Sequence, residues 1–550
     1  MNATAEFTNR GLGEVQFTQL YLTNMMPTDV VHLGGTYSNS GISSVQPSVN
    51  GVTVTLSVHF RNPFDLPVGV YNDTITVHAC LEWPCVNEVV GSPKTINVTY
   101  TIVAPGAPPS LTLSQSSLSI EGLVLDTTPP PNQTFDMTFN GIGTPPTNLH
   151  FEVAGTTNGI YASGFTIFGS DPNMFGRVNM NPRPPDSLGP GNYTDTVTVR
   201  ACLDNQCLHE LAGSPATVTL HYAVVDSVSG PNGYTVKMVD AEANDIAWDD
   251  VHKLLYVSMA SSSANHPDSI GVLDPATGQF TSYHTVGSNP GDLEVSPDGQ
   301  YLYVALRGAG QIQRLSLPSL EPDISIPLGT NGAGAQLYSL QMRLAPGNAH
   351  ALAVVRSTSP VSSSGANNLA VFDDATMRPQ TAGNAGADMI TTFQWDSDTR
   401  IIAGNGANTM DTAYHIAVDG NGLQITRSQQ NVTSFDYRIY LDSGRIITQR
   451  GQIFDAESFA SLGSFTLGTF FPSLVAPDAL TGRAFFAMNG AIKSFDLATL
   501  DPLASITLPQ GTLSYSTSRL IRWGPDGLAL VRYVSGAPRI MLINGPFVKP

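Results

Sequence analysis

The chain has 550 residues, enough for about three or four domains with cores of their own. Only 13% of residues are charged, and 44 Asp and Glu against 25 Lys and Arg give a net charge of −19. With no basic run, that balance excludes nucleic acid as a partner class, and a hydrophobic fraction of 41% excludes intrinsic disorder.

Gly (51) and Pro (39) are abundant beside many Thr, Ser and Asn, a mixture that favours strands and tight turns and predicts an all-β chain. No stretch approaches the ~18 apolar residues of a membrane span. The opening MNATAEFTNRG has neither a basic nor an apolar leader region.

One segment occurs twice without a gap. Gly69–Val103 reads GVYNDTITVHACLEWPCVNEVVGSPKTINVTYTIV, and Gly191–Val225 reads GNYTDTVTVRACLDNQCLHELAGSPATVTLHYAVV. Within each copy apolar residues alternate, as in Ile75, Val77 and Ala79 between Thr74, Thr76 and His78, the mark of a half-buried strand. A Gly-Ser-Pro turn and a second alternating strand follow, so each copy is a hairpin. The only four cysteines form two C-x4-C pairs, Cys80/Cys85 and Cys202/Cys207. Two pairs in separate modules, with no supporting His and without C-x-x-C spacing, are expected as structural disulfides, which implies an oxidising compartment. Residues 1–104 are thus expected as sandwich module 1 and residues 105–226 as module 2. Module 2 opens on an extended Ser110–Gly122 (SLTLSQSSLSIEG), which module 1 lacks, so a further segment is expected upstream.

The framework G-x-Y-x-D-T-x-T-V-x-A-C-L-x3-C-x2-E-x2-G-S-P resembles Ig-like repeats carried in tandem by secreted or surface proteins of bacteria. That resemblance implies Ig-like sandwiches acting as spacers or adhesion units.

From about Gly230 the period changes. Strands LLYVSM (Leu254), YLYVAL (Tyr301), ALAVVR (Ala351), RIIAGN (Arg400), RIITQR (Arg445), RAFFAM (Arg483) and LALVRY (Leu528) recur about every 45 residues. Four short strands per such repeat predict a seven-bladed β-propeller over 230–550. The seventh repeat stops one strand short. Gly233–Ala241 (GYTVKMVDA) is expected to supply that strand and close the ring, which removes an open edge. The unit SPDGQYLYVALRGAGQIQRLSLPSLE (Ser296–Glu321) resembles the YVTN-type repeat, related in fold to lactonase-like propellers. The resemblance implies a surface protein, mostly without defined chemistry.

The inner strands are expected to begin near Asp245, Asp292, Ser339, Thr391, Asp436, Ser473 and Ser518. Converging carboxylates of Asp245, Asp292 and Asp436 would suit Ca²⁺ or Mg²⁺, or acid–base chemistry, whereas each Asp alone suits a strand-entry turn. Asp274, Asp373, Asp455 and Asp496 are expected as turn caps, and Trp248, Trp395 and Trp523 as packing between blades. No metalloprotease, nucleophile-elbow or nucleotide motif occurs. The leading expectation is a secreted, periplasmic or surface binding or adhesion protein without enzymatic activity, with a protein or glycan partner. A metal-dependent lactonase-like hydrolase and a self-assembling surface-layer or filament subunit stand as alternatives.

Overall fold

The computed structural model describes residues 2–7, 14–21, 32–50, 53–61, 65–80, 88, 92–102, 110–140, 150–156, 166–168, 175–229, 233–384, 389–405, 412–430, 432, 438–468, 473–508, 511–514, 518–534 and 536–549. The protein is all-β, and it divides into two compact units, Met1–Val225 and Asp226–Pro550.

The first unit holds two sandwiches built alike. In the second, Gly191–Cys202 pairs with Ala216–Val225, flanked by His150–Gly155 on one side and Ser117–Leu123 on the other. The facing sheet sets Gln133–Asn140 between Ser110–Leu113 and Phe175–Met180. Phe135, Met137, Val178, Val197, Val199, Val218, Leu220 and Tyr222 fill the layer between the sheets and are all buried. The segment expected as one extended opening, Ser110–Gly122, is two strands in two different sheets. The chain changes sheets at Ser114–Ser116, and Gly122 then lies against Tyr222, where any Cβ would meet the ring hydroxyl at 2.8 Å.

The first sandwich repeats these contacts 122 residues earlier. Tyr100 Oη donates to Arg61 O at 3.1 Å, as Tyr222 Oη does to Arg183 O at 3.1 Å. Ser92 Oγ accepts from Ala79 N at 2.9 Å, as Ser214 Oγ does from Ala201 N. Asp73 and Asp195, buried on equivalent strands, each accept hydrogen bonds from the end of a neighbouring strand, Asp73 from Gly41 N and Asp195 from Thr156 Oγ1. The repetition seen in the sequence is therefore a repetition of three-dimensional fastenings.

In the second unit the described residues form seven sheets, each opening on a strand that packs against the opening strand of the next. These are Ala243–Asp249, Pro290–Val295, Tyr338–Leu344, Thr392–Ser397, Ile439–Asp442, Leu474–Asp478 and Leu520–Trp523. The last packs against the first, so the series closes on itself in the manner of a β-propeller. The closing sheet draws on both ends of the unit. Thr235–Val239 pairs antiparallel with Ala537–Asn544, placing Val236 opposite Ile543, and Ser227–Ser229 adds a fifth strand outside it.

Apolar clusters lie between neighbouring sheets, as where Ile246, Leu255 and Val257 meet Trp523, Ala529 and Val531. Trp248 and Trp523 stand 6.3 Å apart in that cluster, and Trp395 Nε1 donates to Arg343 O of the preceding sheet at 3.0 Å. Asp274, Asp455 and Asp496 cap their turns, accepting from Ala276 N, Ser458 N and Ala498 N. Asp373 departs from that expectation: its carboxylate takes a two-point ion pair from Arg378.

Candidate functional site

The seven opening strands are aligned by the residue each sets opposite the second apolar position of its partner strand: Trp248, Val295, Leu344, Trp395, Leu441, Pro477 and Arg522. Three residues earlier lies one level of the ring, occupied by Asp245, Asp292, Gln341, Thr392, Arg438, Leu474 and Arg519. Six of the seven are hydrogen-bonding or charged, although the level is almost wholly buried.

A common geometry explains most of them. Each reaches toward the next sheet and satisfies backbone groups of its opening strand. Asp245 Oδ2 accepts from Leu293 N at 2.9 Å. The Gln341 amide takes both sides of Phe393, donating to its carbonyl at 2.9 Å and accepting from its N–H at 3.2 Å. Thr392 Oγ1 accepts from Ile439 N at 3.1 Å. Each opening strand is the edge of its sheet and is paired on one side only, so the groups on its open side need a side chain to supply the bond.

Charge closes the circle. Arg519 of the seventh sheet donates Nε to Asp245 Oδ1 of the first at 3.0 Å, binds Oδ2 with its other arm, and donates to Leu293 O of the second. Glu294, on the second sheet, receives Arg343 at 3.2 Å and faces Arg519 at 3.6 Å. Burial pushes the Glu294 carboxyl above its ordinary value, more than Arg343 and Arg519 pull it down. At Asp292 the balance reverses. Burial acts upward, but Arg438, Arg519, Arg343 and Arg307 together bring the carboxyl below its usual range.

Asp292 is the exception to the latching pattern. Its Oδ2 is buried without a hydrogen-bond partner, and Arg438, three sheets away around the ring, stands 3.6 Å from Oδ1. That separation is an ion pair across the axis, too long for a direct hydrogen bond.

Of the three acids expected to hold a metal, the structure describes Asp245 and Asp292, and guanidiniums face both. Asp245 and Asp292 do reach one level, but Asp245 is already neutralised by Arg519, and a divalent ion beside Asp292 would face several guanidiniums. Asp436 lies outside the described residues. Among the described residues no three His, Cys, Asp or Glu side chains come close enough to share an ion. Ser339 and Ser473 sit at strand entries as expected, the latter donating to Gln449 O at 2.7 Å. The sequence reading missed Arg343, Arg438, Arg519 and Glu294. An alignment of the strands by their apolar ends would have found their levels, though not their pairing.

The cysteines behave as structural. Cys202–Cys207 is a disulfide with its Cα atoms 5.0 Å apart. Cys80 is also disulfide-bonded, and Cys85 lies outside the described residues.

No family model and no curated protein matches the sequence. Solved structures similar in shape include hydrazine synthase from Kuenenia stuttgartiensis, at 14% identity and a TM-score of 0.42, over 56% of this chain and 97% of that one. The β-propeller domain of Cps50 (Swd1) from Myceliophteria thermophila is similar at 13% identity and a TM-score of 0.43, over 56% and 98%. The WD40 repeats of RRP9 are similar at 12% and 0.42, over 56% and 97%. At such identities these likenesses concern shape alone, and the assignment to the β-propeller class rests on the closed series of sheets in this chain.

Proposed function

We propose that the chain is a secreted or cell-surface binding protein, in which two Ig-like modules accompany a seven-bladed β-propeller that offers its face to a protein or glycan partner. The carrying observation is the state of the ring axis. Its acids are engaged by guanidiniums and its amide and hydroxyl by backbone, which makes a stiff display frame from groups that an enzyme would keep available. Disulfides in the sandwich unit support an oxidising location, and the duplicated sandwich fastenings suit a spacer of fixed dimensions.

One observation favours a second reading, a lactonase-like hydrolase: the unpartnered Oδ2 of Asp292 is a buried base beside the axis. The two readings separate in one set of measurements. The purified chain is applied to a glycan array and assayed for hydrolysis of lactones with and without added Ca²⁺, in parallel with D292N. Binding, with no turnover that depends on Asp292, is the expected result. Lactone hydrolysis abolished by D292N would replace the binding reading with the hydrolytic one.

A further inference from the structure

The C-x4-C loop of the second sandwich is held unusually firmly for a surface turn. The Cys202–Cys207 disulfide closes it, and an antiparallel bridge joins Cys202 to Glu210. Arg200 clamps Glu210 from the adjoining strand at 2.7 Å. Inside the loop, the Asp204 carboxylate accepts from Gln206 N, Leu208 N and His209 N at 2.9–3.0 Å.

This ordered frame does not bury its apolar residues. Leu208 is 73% exposed and Leu203 37%. Phe151, also 37% exposed, sits opposite the buried Ala201 with its ring 6.2 Å from Phe139 of the facing sheet, so it forms the exposed rim of the core at the end where Leu203 follows. Three large apolar side chains therefore share one end of the sandwich, two of them on or beside a loop that cannot fold away from water. Burial on folding does not account for such a loop, whereas a contact made with the loop already ordered does. The first module keeps the same chemistry in sequence: Leu81 and Val86 occupy the positions of Leu203 and Leu208, although the residues between the cysteines differ.

We infer that this end of the second sandwich, Phe151, Leu203 and Leu208 on the stapled loop, is a docking surface for a protein whose apolar pocket is rimmed by Lys or Arg. The inference goes beyond the binding reading above, which concerns the propeller face, and adds a separate contact surface in the sandwich unit. Charge chooses the occupant. Glu152, Asp204 and Glu210 border the apolar group beside one Arg, Arg200, and two His, His150 and His209, so three acids stand against one fixed cation in a chain of net charge −19. An anionic lipid surface or a nucleic acid is repelled by that rim, and a second copy would bring like charge to like.

The test uses the full chain and a phage-displayed random dodecapeptide library. Enriched peptides are synthesised and titrated against the wild type, L208D, and L480D, a change at a fully exposed leucine of the other unit. Leu208 is exposed, so L208D keeps the fold, which an unchanged melting temperature verifies. The expected outcome is enrichment of apolar peptides bearing Lys or Arg, with affinity at least tenfold weaker on L208D and unchanged on L480D. No enrichment, or peptides indifferent to L208D, overturns the inference. So does L208D-sensitive binding to phosphatidylcholine–phosphatidylglycerol vesicles, or L208D-sensitive self-association in light scattering. Peptides indifferent to L208D leave the binding reading standing. Asp292-dependent lactone turnover removes that reading by itself.

Discussion

Arg519 ties the seventh sheet to the first and second, and removing it leaves Asp245, wholly buried, as a carboxylate with one backbone donor. Breaking a buried pair from one side typically costs about 3–5 kcal/mol, whereas replacing both partners by apolar groups is far less harmful. R519M is therefore expected to lose about 3–5 kcal/mol in urea unfolding, and D245L/R519M to recover part of it. Equal losses in the single and double variants would contradict the buried-pair account. Asp204 makes a different prediction. The Leu208 N–H first, and then the His209 side chain and the other loop donors, bring its carboxyl down to about 2. A lowered carboxylate stabilises the loop fully above the ordinary Asp value of about 4, and the effect disappears as pH falls through the folded value. Amide exchange at Leu208 should be slow in the wild type at pH 6 and fast in D204N. A carboxyl titration of Asp204 centred near 4 would refute it. At this scale the sequence disclosed the acids and hid their partners. Asp245 and Asp292 stand where strands begin, a local fact, but Arg519 lies 274 residues from Asp245 and nothing nearby in the chain links them.

The sandwich elements were more legible, because burial on a strand follows a period of two. Gly69–Cys80 buries Asp73, Ile75, Val77 and Ala79 and leaves the alternate residues outward, as its apolar pattern implies. The edge strands were not legible. Ser117–Leu123 pairs in parallel with Ala216–Val225, about a hundred residues on, and a parallel partner leaves no turn signal between the two strands. What fixes that corner is a hydroxyl: Tyr222 Oη donates to Arg183 O, and its ring covers Gly122. Y222F keeps the ring and removes the bond, so it should cost about 1 kcal/mol, and Y100F should cost the same in the first sandwich. Two equal losses by chemical denaturation would show that the repeated fastenings are equivalent in energy as well as in geometry. A change near zero in either would mean that water replaces the tyrosine there.

Across the whole ring, scarce cations explain why so acidic a chain closes. Six of the seven junctions between sheets are bridged by a Lys or Arg that reaches an acceptor of the next. Arg314 meets Asp374, Arg378 meets Asp419 O, Arg400 meets Glu457, Arg445 meets Leu497 O, Arg483 meets Phe547 O, and Lys237 meets Thr277 O. The junction of the first and second sheets uses Asn244 and Ser258, which donate to Pro290 O and Gly291 O. The seventh-to-first junction differs in kind, because Lys237 stands on the strand that pairs the beginning of the unit with its end. Ring closure therefore depends on Thr235–Val239 staying beside Ala537–Asn544, and Val236, 3% exposed, is the buried anchor of that strand. V236D places an unpaired carboxylate at the seam and should cost about 3–5 kcal/mol. V251D, at a valine 57% exposed, should stay within about 0.5 kcal/mol of wild type. Three of the four tryptophans, Trp248, Trp395 and Trp523, lie in the ring unit, so their fluorescence in a urea titration reads this difference directly. If V236D unfolds within about 1 kcal/mol of wild type, the seam strand is dispensable and the ring is held by the axis and the junction cations alone.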